Sequence, residues 1–332
     1  MSKPFLGLMA MARNECQSYA EWIAHHREQG VEHFYIIDND SDKKEQWCHE
    51  ELQRQSDVTL WTWRRRSHEY LTNDALRTSN STNQPAAYEH FRHNVTASWL
   101  AIWDVDEFAF GVAMPLAEYL RGLPAATHQL CMPWITYGSS FLVRQPVCVT
   151  EANVLRMSTH PRNGPIGKCV QRTEQISLPL IHRSVLVRET PSQRLSSSCI
   201  CADGAACCGS DGSQGSQGGS ASSSSACRFA SHACLHLSNE SMLAAQAVRL
   251  HHYISQSQAH MGARSWAGEA DLSSRQRTPR YWKVVDATNN KVNDTTLAVR
   301  AVCRGWQRTG AQALNRSSLL ARRLGRDVAI YQ

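Results

Sequence analysis

Three acidic residues interrupt an apolar run at positions 99–110, WLAIWDVDEFAF: Asp104, Asp106 and Glu107. Carboxylates in apolar surroundings are costly unless a cation, a proton or a donor meets them. Alternate side chains of a strand point the same way, so Asp104 and Asp106 would share a face if both stay in one strand. Two carboxylates so placed repel one another unless something positive lies between them. Hard oxygen ligands of this kind suit Mg2+ or Mn2+. An ion held by one or two carboxylates commonly takes the rest of its shell from phosphate oxygens and water. It would then stabilise a departing diphosphate as charge develops there. The plainer reading is that the two aspartates cap or ion-pair at a strand end, and Asp-x-Asp alone does not separate the two.

The elements around this run must bring further groups to it. Residues 5–12 (FLGLMAMA) are continuously apolar, as in a parallel strand covered on both faces, and Arg13-Asn14-Glu15 follow. Cys16–Gln29 reads as a helix, with Tyr19, Trp22, Ile23 and His26 at helical spacing and Gly30 as its stop. A second strand, 31–38 (VEHFYIID), ends in the polar turn Asp38-Asn39-Asp40-Ser41-Asp42. A helix over Lys44–Gln55, a strand over Val58–Trp63 and a helix over Pro85–Ala97 complete the approach to the acidic run. Strand–helix–strand units of this spacing predict an α/β fold whose mostly parallel central sheet is flanked by helices. Ligands of such sheets gather at the carboxyl ends of the strands. Arg13–Glu15, Asp38–Ser41 and Asp104–Glu107 all fall there.

A formal net charge of +6 suits acidic ligands such as phosphates without making a nucleic-acid signature. WTWRRR at 61–66 reads as a surface segment, and no nucleic-acid partner is expected. No run reaches the roughly 18 apolar residues that span a bilayer. No membrane span is therefore expected in this chain, which reads as soluble. The cytoplasm, or the secretory-pathway lumen given an upstream anchor, both fit. Cys16, Cys48, Cys131, Cys148, Cys169, Cys234 and Cys303 are scattered singly, which favours reduced core thiols over a disulfide framework. Residues 190–231 are dominated by Ser, Gly, Ala and Cys and cannot bury enough apolar area to offset the entropy of ordering. They read as a mobile insertion, whose CxC and CC pairs fit no zinc spacing. It would interrupt a single domain made of 1–189 and 232–332. The stretch 309–331 reads as an amphipathic helix.

Four segments, in order, give the chain a resemblance: ARNECQSYAEWIAHHREQGVEHFYIIDNDSD at 12–42, QPAAYEHFRHNVTASWLAIWDVDEF at 84–108, GKCVQRTEQI at 167–176 followed by His182, and LHHYISQSQAHMGARSWAGEAD at 250–271 with Gly268. Together they resemble glycosyltransferases of the A-type fold, close to family 2 and above all to family 92. The resemblance implies a nucleotide pocket lined by Arg13, Asn14, Glu15, Asp38, Asn39, Ser41 and Gln84. It implies Mn2+ or Mg2+ on Asp104 and Asp106, with Asp106 the more direct ligand and His252 the third. Lys168 and Arg172 would meet the diphosphate or stand as solvated strand charges.

The reaction so implied is inverting transfer of a sugar from a nucleotide diphosphate-sugar, a UDP-sugar first of all, to a hydroxyl of a glycan or other acceptor. Glu107 and Glu151 are the candidate bases, Glu107 alternatively bracing the motif. PWITYGSSF at 133–141 would face the acceptor or belong to strand core. Two positions depart from the family pattern: His251 stands where Asn is usual, and Gln256 where Lys often is. These departures keep open a degenerate module that binds nucleotide-sugar without turning it over. A phosphoryl-transfer enzyme is disfavoured, since no Gly-rich phosphate loop is present.

Overall fold

The computed structural model describes residues 3–63, 83–159, 167–179, 185–186, 199–202, 204, 237–267 and 278–303. His182, Gly268, Cys234, most of 190–231 and the stretch 309–331 lie outside them. The described elements are β1 (Leu6–Ala12), α1 (Cys16–Glu28), β2 (His33–Asp38), α2 (Gln46–Gln53), β3 (Val58–Thr62), α3 (Asn83–Phe91), β4 (Trp99–Ile102), β5 (Glu107–Gly111), α4 (Leu116–Arg121), β6 (Gln129–Tyr137), α5 (Val149–Ala152), β7 (Leu155–Arg156), β8 (Gly167–Arg172), β9 (Ile176–Leu178), β10 (Val185–Leu186), β11 (Cys199–Cys201), α6 (Glu240–Ala245), β12 (Val248–Tyr253), α7 (Gln258–Ala267), α8 (Pro279–Asn289) and β13 (Val292–Asn293).

The architecture is mixed α/β around a curled central sheet. Its first half runs β3-β2-β1-β4, all parallel. β8 then enters antiparallel between β4 and β6. The nine residues of β6 change partners along their length, meeting β8 and β11 early and β12 and β7 late. Among the described residues, β5 pairs with β12 alone, antiparallel. Among the described strands, only β8, β5 and β7 run against the common direction of this sheet.

The apolar strands are buried on both faces, as their composition requires. On β1, Leu6, Leu8, Ala10 and Ala12 join one core with Trp22, Phe34, Trp103, Phe108 and Phe110. Met9 and Met11 join a second with Tyr35, Tyr88, Phe91 and Ile102. α1 ends as its sequence indicates, with Gly30 at φ 82°. Its inner face grips β5 by hydrogen bonds along that strand's unpaired edge. Trp22 Nε1 donates to Glu107 O at 3.1 Å, and His25 Nε2 donates to Ala109 O at 2.8 Å. The Ala109 N–H donates to His26 Nε2 at 3.3 Å, so His26 Nδ1 carries the proton it gives to Trp22 O.

Burial drives the His25 pKa down to about 4 and that of His26 further below its ordinary value. Both are depressed relative to the unfolded chain, so the native state binds fewer protons there. Stability from these histidines is complete above about pH 6.5 and is lost as pH falls towards 4. Thermal melts across that window should show Tm falling with pH, and less steeply for His25→Gln.

Three sequence expectations are corrected. Six of the seven scattered cysteines are bridged, as Cys16–Cys48, Cys131–Cys169 and Cys148–Cys303. Their wide sequence spacing hid pairs that the fold makes neighbours: Cys131 and Cys169 face each other across β6 and β8. Cys199–Cys201, inside the stretch read as a mobile insertion, is a strand that pairs in parallel with Gln129–Cys131. Its partner is the otherwise unpaired edge of β6, which no local composition reveals. The acidic run is not one strand. β4 ends at Ile102, a turn spans Trp103–Asp106, and β5 begins at Glu107. Helix limits shift by a few residues, since a 3-10 turn takes Lys43–Glu45 and another Arg92–Asn94.

Candidate functional site

The turn after β4 is closed from both ends. The Glu107 N–H donates to Asp104 O at 3.0 Å, and the Asp104 N–H donates to Glu107 Oε2 at 2.9 Å. β12 lies beside β5 with His252 opposite Glu107, and the Tyr253 N–H donates to Asp106 O at 2.9 Å. Strand register therefore delivers the His252 ring to the Asp106 carboxylate. Nε2 stands 3.6 Å from Oδ1, and the Trp134 ring of β6 lies 4.3 Å from the imidazole.

Asp104 and Asp106 have different surroundings. Asp104 is held on both oxygens: Gln84 Nε2 of α3 donates to Oδ1 at 3.0 Å and Lys168 Nζ of β8 to Oδ2 at 3.0 Å. Lys168 is 1% exposed and also lies 3.4 Å from Glu107, which is fully buried. It is no solvated strand charge. Burial pushes the Glu107 carboxyl up to about 7, with Lys168 opposing the rise. Burial alone would lower the Lys168 pKa; Asp104 and Glu107 reverse this and raise it.

Asp106 is buried, and its Oδ1 receives no hydrogen bond. Burial would raise its pKa, but His252 and Arg264 hold it below the usual carboxylate range. Burial would likewise lower His252, yet Asp106 carries it above its ordinary value. Arg264, on α7, stands 3.8 Å from Asp106 Oδ2 and donates to Glu15 Oε1 at 2.6 Å. Sequence reasoning passed over it. The signal was there: Arg264 is the sole arginine of the segment 250–271 from which His252 was drawn.

These groups fit a divalent cation. An orphaned carboxylate oxygen faces an imidazole nitrogen across a gap too long for a hydrogen bond and short enough for both to reach one ion. The imidazole's other nitrogen, Nδ1, is buried without a partner. An ion entering there would displace the imidazole proton, as ligation of a histidine demands.

The remaining sequence candidates divide. Asn14, at φ 58°, receives Asp42 N–H on Oδ1 at 2.8 Å and donates its own N–H to Ser41 Oγ at 2.9 Å. The Ser41 N–H donates to Asp38 Oδ1 at 3.2 Å. Asn14, Asp38 and Ser41 thus fasten the loops after β1 and β2 to each other, with Asn39 buried beside them. Arg13 Nε is buried there with no hydrogen-bond partner. These loops leave the carboxyl ends of β1, which adjoins β4, and of β2 beyond it, and Glu15 joins them to Asp106 through Arg264. Arg172 points elsewhere: Nε donates to Thr127 O at 2.8 Å and the guanidinium covers the Trp99 ring.

Glu151 rides on α5, and none of the described contacts joins it to the acidic turn. The start of α5 is fixed by the buried Glu21 of α1, which accepts from the Val149 N–H at 2.7 Å and the Thr150 N–H at 2.8 Å. Between α1, α5 and the acidic turn lies a small open cavity, with Ser18, Glu21, Val105, Gln145, Val149 and Gln256 in its wall. Gln256 is buried at φ 44° and accepts from the Gln145 amide, while its carbonyl accepts from Asn153 Nδ2 at 2.8 Å. His251 is buried between Phe110 and Tyr137, facing away from the site on the alternate side of β12.

The family described as Glycosyltransferase family 92 matches residues 9–198. No curated protein matches the chain. Among solved structures, TarS 1–349 from S. aureus in complex with UDP is similar at 7% identity, TM-score 0.33, over 52% of this chain and 47% of that one. A mannosyltransferase, PcManGT from Pyrobaculum calidifontis in complex with GDP-Man and Mn2+, is similar at 13% identity, TM-score 0.30, over 52% and 46%. The chain spans less than half the length of these structures.

Proposed function

The chain belongs to glycosyltransferase family 92, and from that premise we propose that it transfers a sugar from a nucleoside diphosphate-sugar to an acceptor hydroxyl, with inversion, using Mn2+ or Mg2+ held by Asp106 and His252. The observation that supports this most is the orphaned Asp106 oxygen facing His252 at the carboxyl edge of the parallel strands. The nucleotide would lie along the loops after β1 and β2, where Arg13 Nε is buried without a partner. A UDP-sugar is the first donor to try. The structures named above are complexes with UDP or GDP-Man, so both nucleotides belong in the panel.

A bound divalent ion offsets the charge that develops on the departing diphosphate. The chain's own residues do the rest. Arg264 and Lys168 keep the surrounding carboxylates balanced, and Trp134 shields the imidazole from water. A base takes the acceptor proton, the freed oxygen attacks the anomeric carbon, and the bond to the diphosphate breaks on the opposite face. Glu107 is buried beneath Lys168 and braces the turn. Glu151 therefore remains the candidate base, on the helix whose first residue walls the cavity beside Val105.

The test is release of nucleoside diphosphate from UDP- and GDP-sugars with Mn2+ and with EDTA. Metal-dependent turnover of one donor is the expected result. Binding without turnover across an acceptor panel would support the non-catalytic module instead. Absence of any binding by a folded protein would overturn both.

A further inference from the structure

The loops after β1 and β2 each hold a residue in the left-handed backbone region, Asn14 at φ 58° and Asp40 at φ 56°. Neither is glycine, so each conformation costs energy that the surroundings must offset. Hydrogen bonds between the loops do part of this. Asn14 N–H donates to Ser41 Oγ at 2.9 Å, Asp42 N–H to Asn14 Oδ1 at 2.8 Å, and Asn14 Nδ2 to Asp42 Oδ2 at 3.1 Å. The two that involve Asp42 are exposed, and water competes for the same groups. The segment after the second loop is thinly anchored. The 3-10 turn Lys43–Glu45 has no buried residue, and the buried residues of α2 are Cys48 and Leu52. Cys48 is bridged to Cys16, the first residue of α1 and the neighbour of Glu15. Both are sealed from solvent, Cys16 at 3% and Cys48 at 1% exposed. One residue on, His49 Nε2 stands 3.6 Å from Asp38 Oδ1, so a single turn of α2 reaches both loops. The other two described bridges lie elsewhere. Cys131–Cys169 joins β6 to β8, and Cys148–Cys303 fastens the start of α5.

We propose that the Cys16–Cys48 bridge is a positioning element for the nucleoside diphosphate. It ties α2 to the start of α1 and so holds the loops after β1 and β2 in their binding form before the ligand arrives. The inference rests on the transferase reading above and adds to it what sets the affinity for the donor. Without the bridge the sheet persists, because β1 and β2 stay paired in parallel. The loops would then be ordered only as nucleotide binds, and that ordering is subtracted from affinity. The Asp106–His252 pair is set by β5 and β12 and keeps its geometry. Loss of the bridge therefore separates nucleotide affinity from metal affinity.

The test compares Cys16→Ala/Cys48→Ala with Cys148→Ala/Cys303→Ala, each checked by circular dichroism and thermal melts. UDP and GDP affinities are measured by calorimetry at saturating Mn2+, and Mn2+ affinity separately by electron paramagnetic resonance. Removing either bridge should lower Tm, the second at least as much because it closes the longer loop. Only removal of Cys16–Cys48 should weaken nucleotide, by about tenfold, with Mn2+ affinity within about threefold of wild type. A bridge that merely supports the fold would lower Tm and leave nucleotide affinity near wild type, and that result overturns the proposal. A reciprocal measurement needs no substitution. Coupling runs both ways, so bound nucleotide must protect the bridge by the factor that the bridge adds to nucleotide affinity. Wild-type protein is equilibrated in glutathione buffers at saturating Mn2+, with and without UDP or GDP, and alkylated cysteines are read by mass spectrometry. Nucleotide should shift the glutathione ratio that half-reduces Cys16–Cys48 by about tenfold and leave that of Cys148–Cys303 in place. No shift, or an equal shift at both bridges, overturns the proposal, and this measurement decides alone should the Cys16→Ala/Cys48→Ala protein fail to fold. Wild-type protein that binds neither Mn2+ nor nucleotide would overturn the transferase reading itself, a result distinct from the others.

Discussion

Asp106→Ala is expected to lower metal-dependent donor turnover on the order of a thousandfold, with Tm almost unchanged. The loss follows from the site's construction. His252 cannot hold a divalent ion alone, and Asp104 is already engaged by Lys168 and Gln84. Removing the Asp106 carboxylate, whose unpartnered Oδ1 faces His252, would remove the proposed ion and its stabilisation of the leaving diphosphate, which is worth several kcal/mol. Stability is spared for a separate reason. His252 is raised above its ordinary pKa chiefly by Asp106, against the lowering effect of burial. Without that carboxylate the imidazole sheds its proton, and no uncompensated charge stays buried. Arg264 keeps Glu15 as its partner. The measurements are turnover at saturating donor and Mn2+ beside thermal melts, with Glu50→Ala, exposed on α2, as a control. Turnover within tenfold of wild type would remove Asp106 from the metal site.

Much of the parallel half of the sheet was legible because its strands announce themselves. β1 and β2 are apolar on both faces, and Gly30 marks where α1 must stop. The acidic residues were legible at a strand end, but the turn they form was not. WDVDEF keeps a strand-like pattern, and what breaks it is a carboxylate folding back on the Asp104 N–H together with an ammonium 64 residues away. The second half of the sheet was hidden for the same reason. β8, β11 and β12 take their places from partners on β6, and such register has no local signature. Cys148 and Cys303 show this most plainly, bridged across 155 residues. At the site, Asp104, Asp106, Gln84, Lys168 and His252 were all named from sequence, and the fold brings them together. The unequal partners of the two aspartates, and Arg264 among them, needed the geometry.

Glu21→Ala should be the most damaging single substitution away from the acidic turn, costing about 3–5 kcal/mol of stability and lowering transfer more than donor binding. Glu21 is buried on α1 and accepts from two backbone N–H groups and a hydroxyl of the segment that opens α5. Truncation leaves those donors buried with no acceptor, and each such group costs about 1–3 kcal/mol. A void is added where the carboxylate stood. Glu21→Gln should fall between, because its amide keeps one accepting oxygen and turns its NH2 against a donor. The effect on function follows the chain. α5 carries Glu151 and walls the cavity beside Val105, whereas the Asp106–His252 pair is set by β5 and β12. Loosening α5 should therefore lower kcat for transfer while leaving Mn2+ and nucleotide affinity near wild type. Urea melts and acceptor-dependent rates measure the two parts. A Glu21→Ala protein within about 1 kcal/mol of wild type would show that the three hydrogen bonds are replaced by water and that α5 is not held from α1.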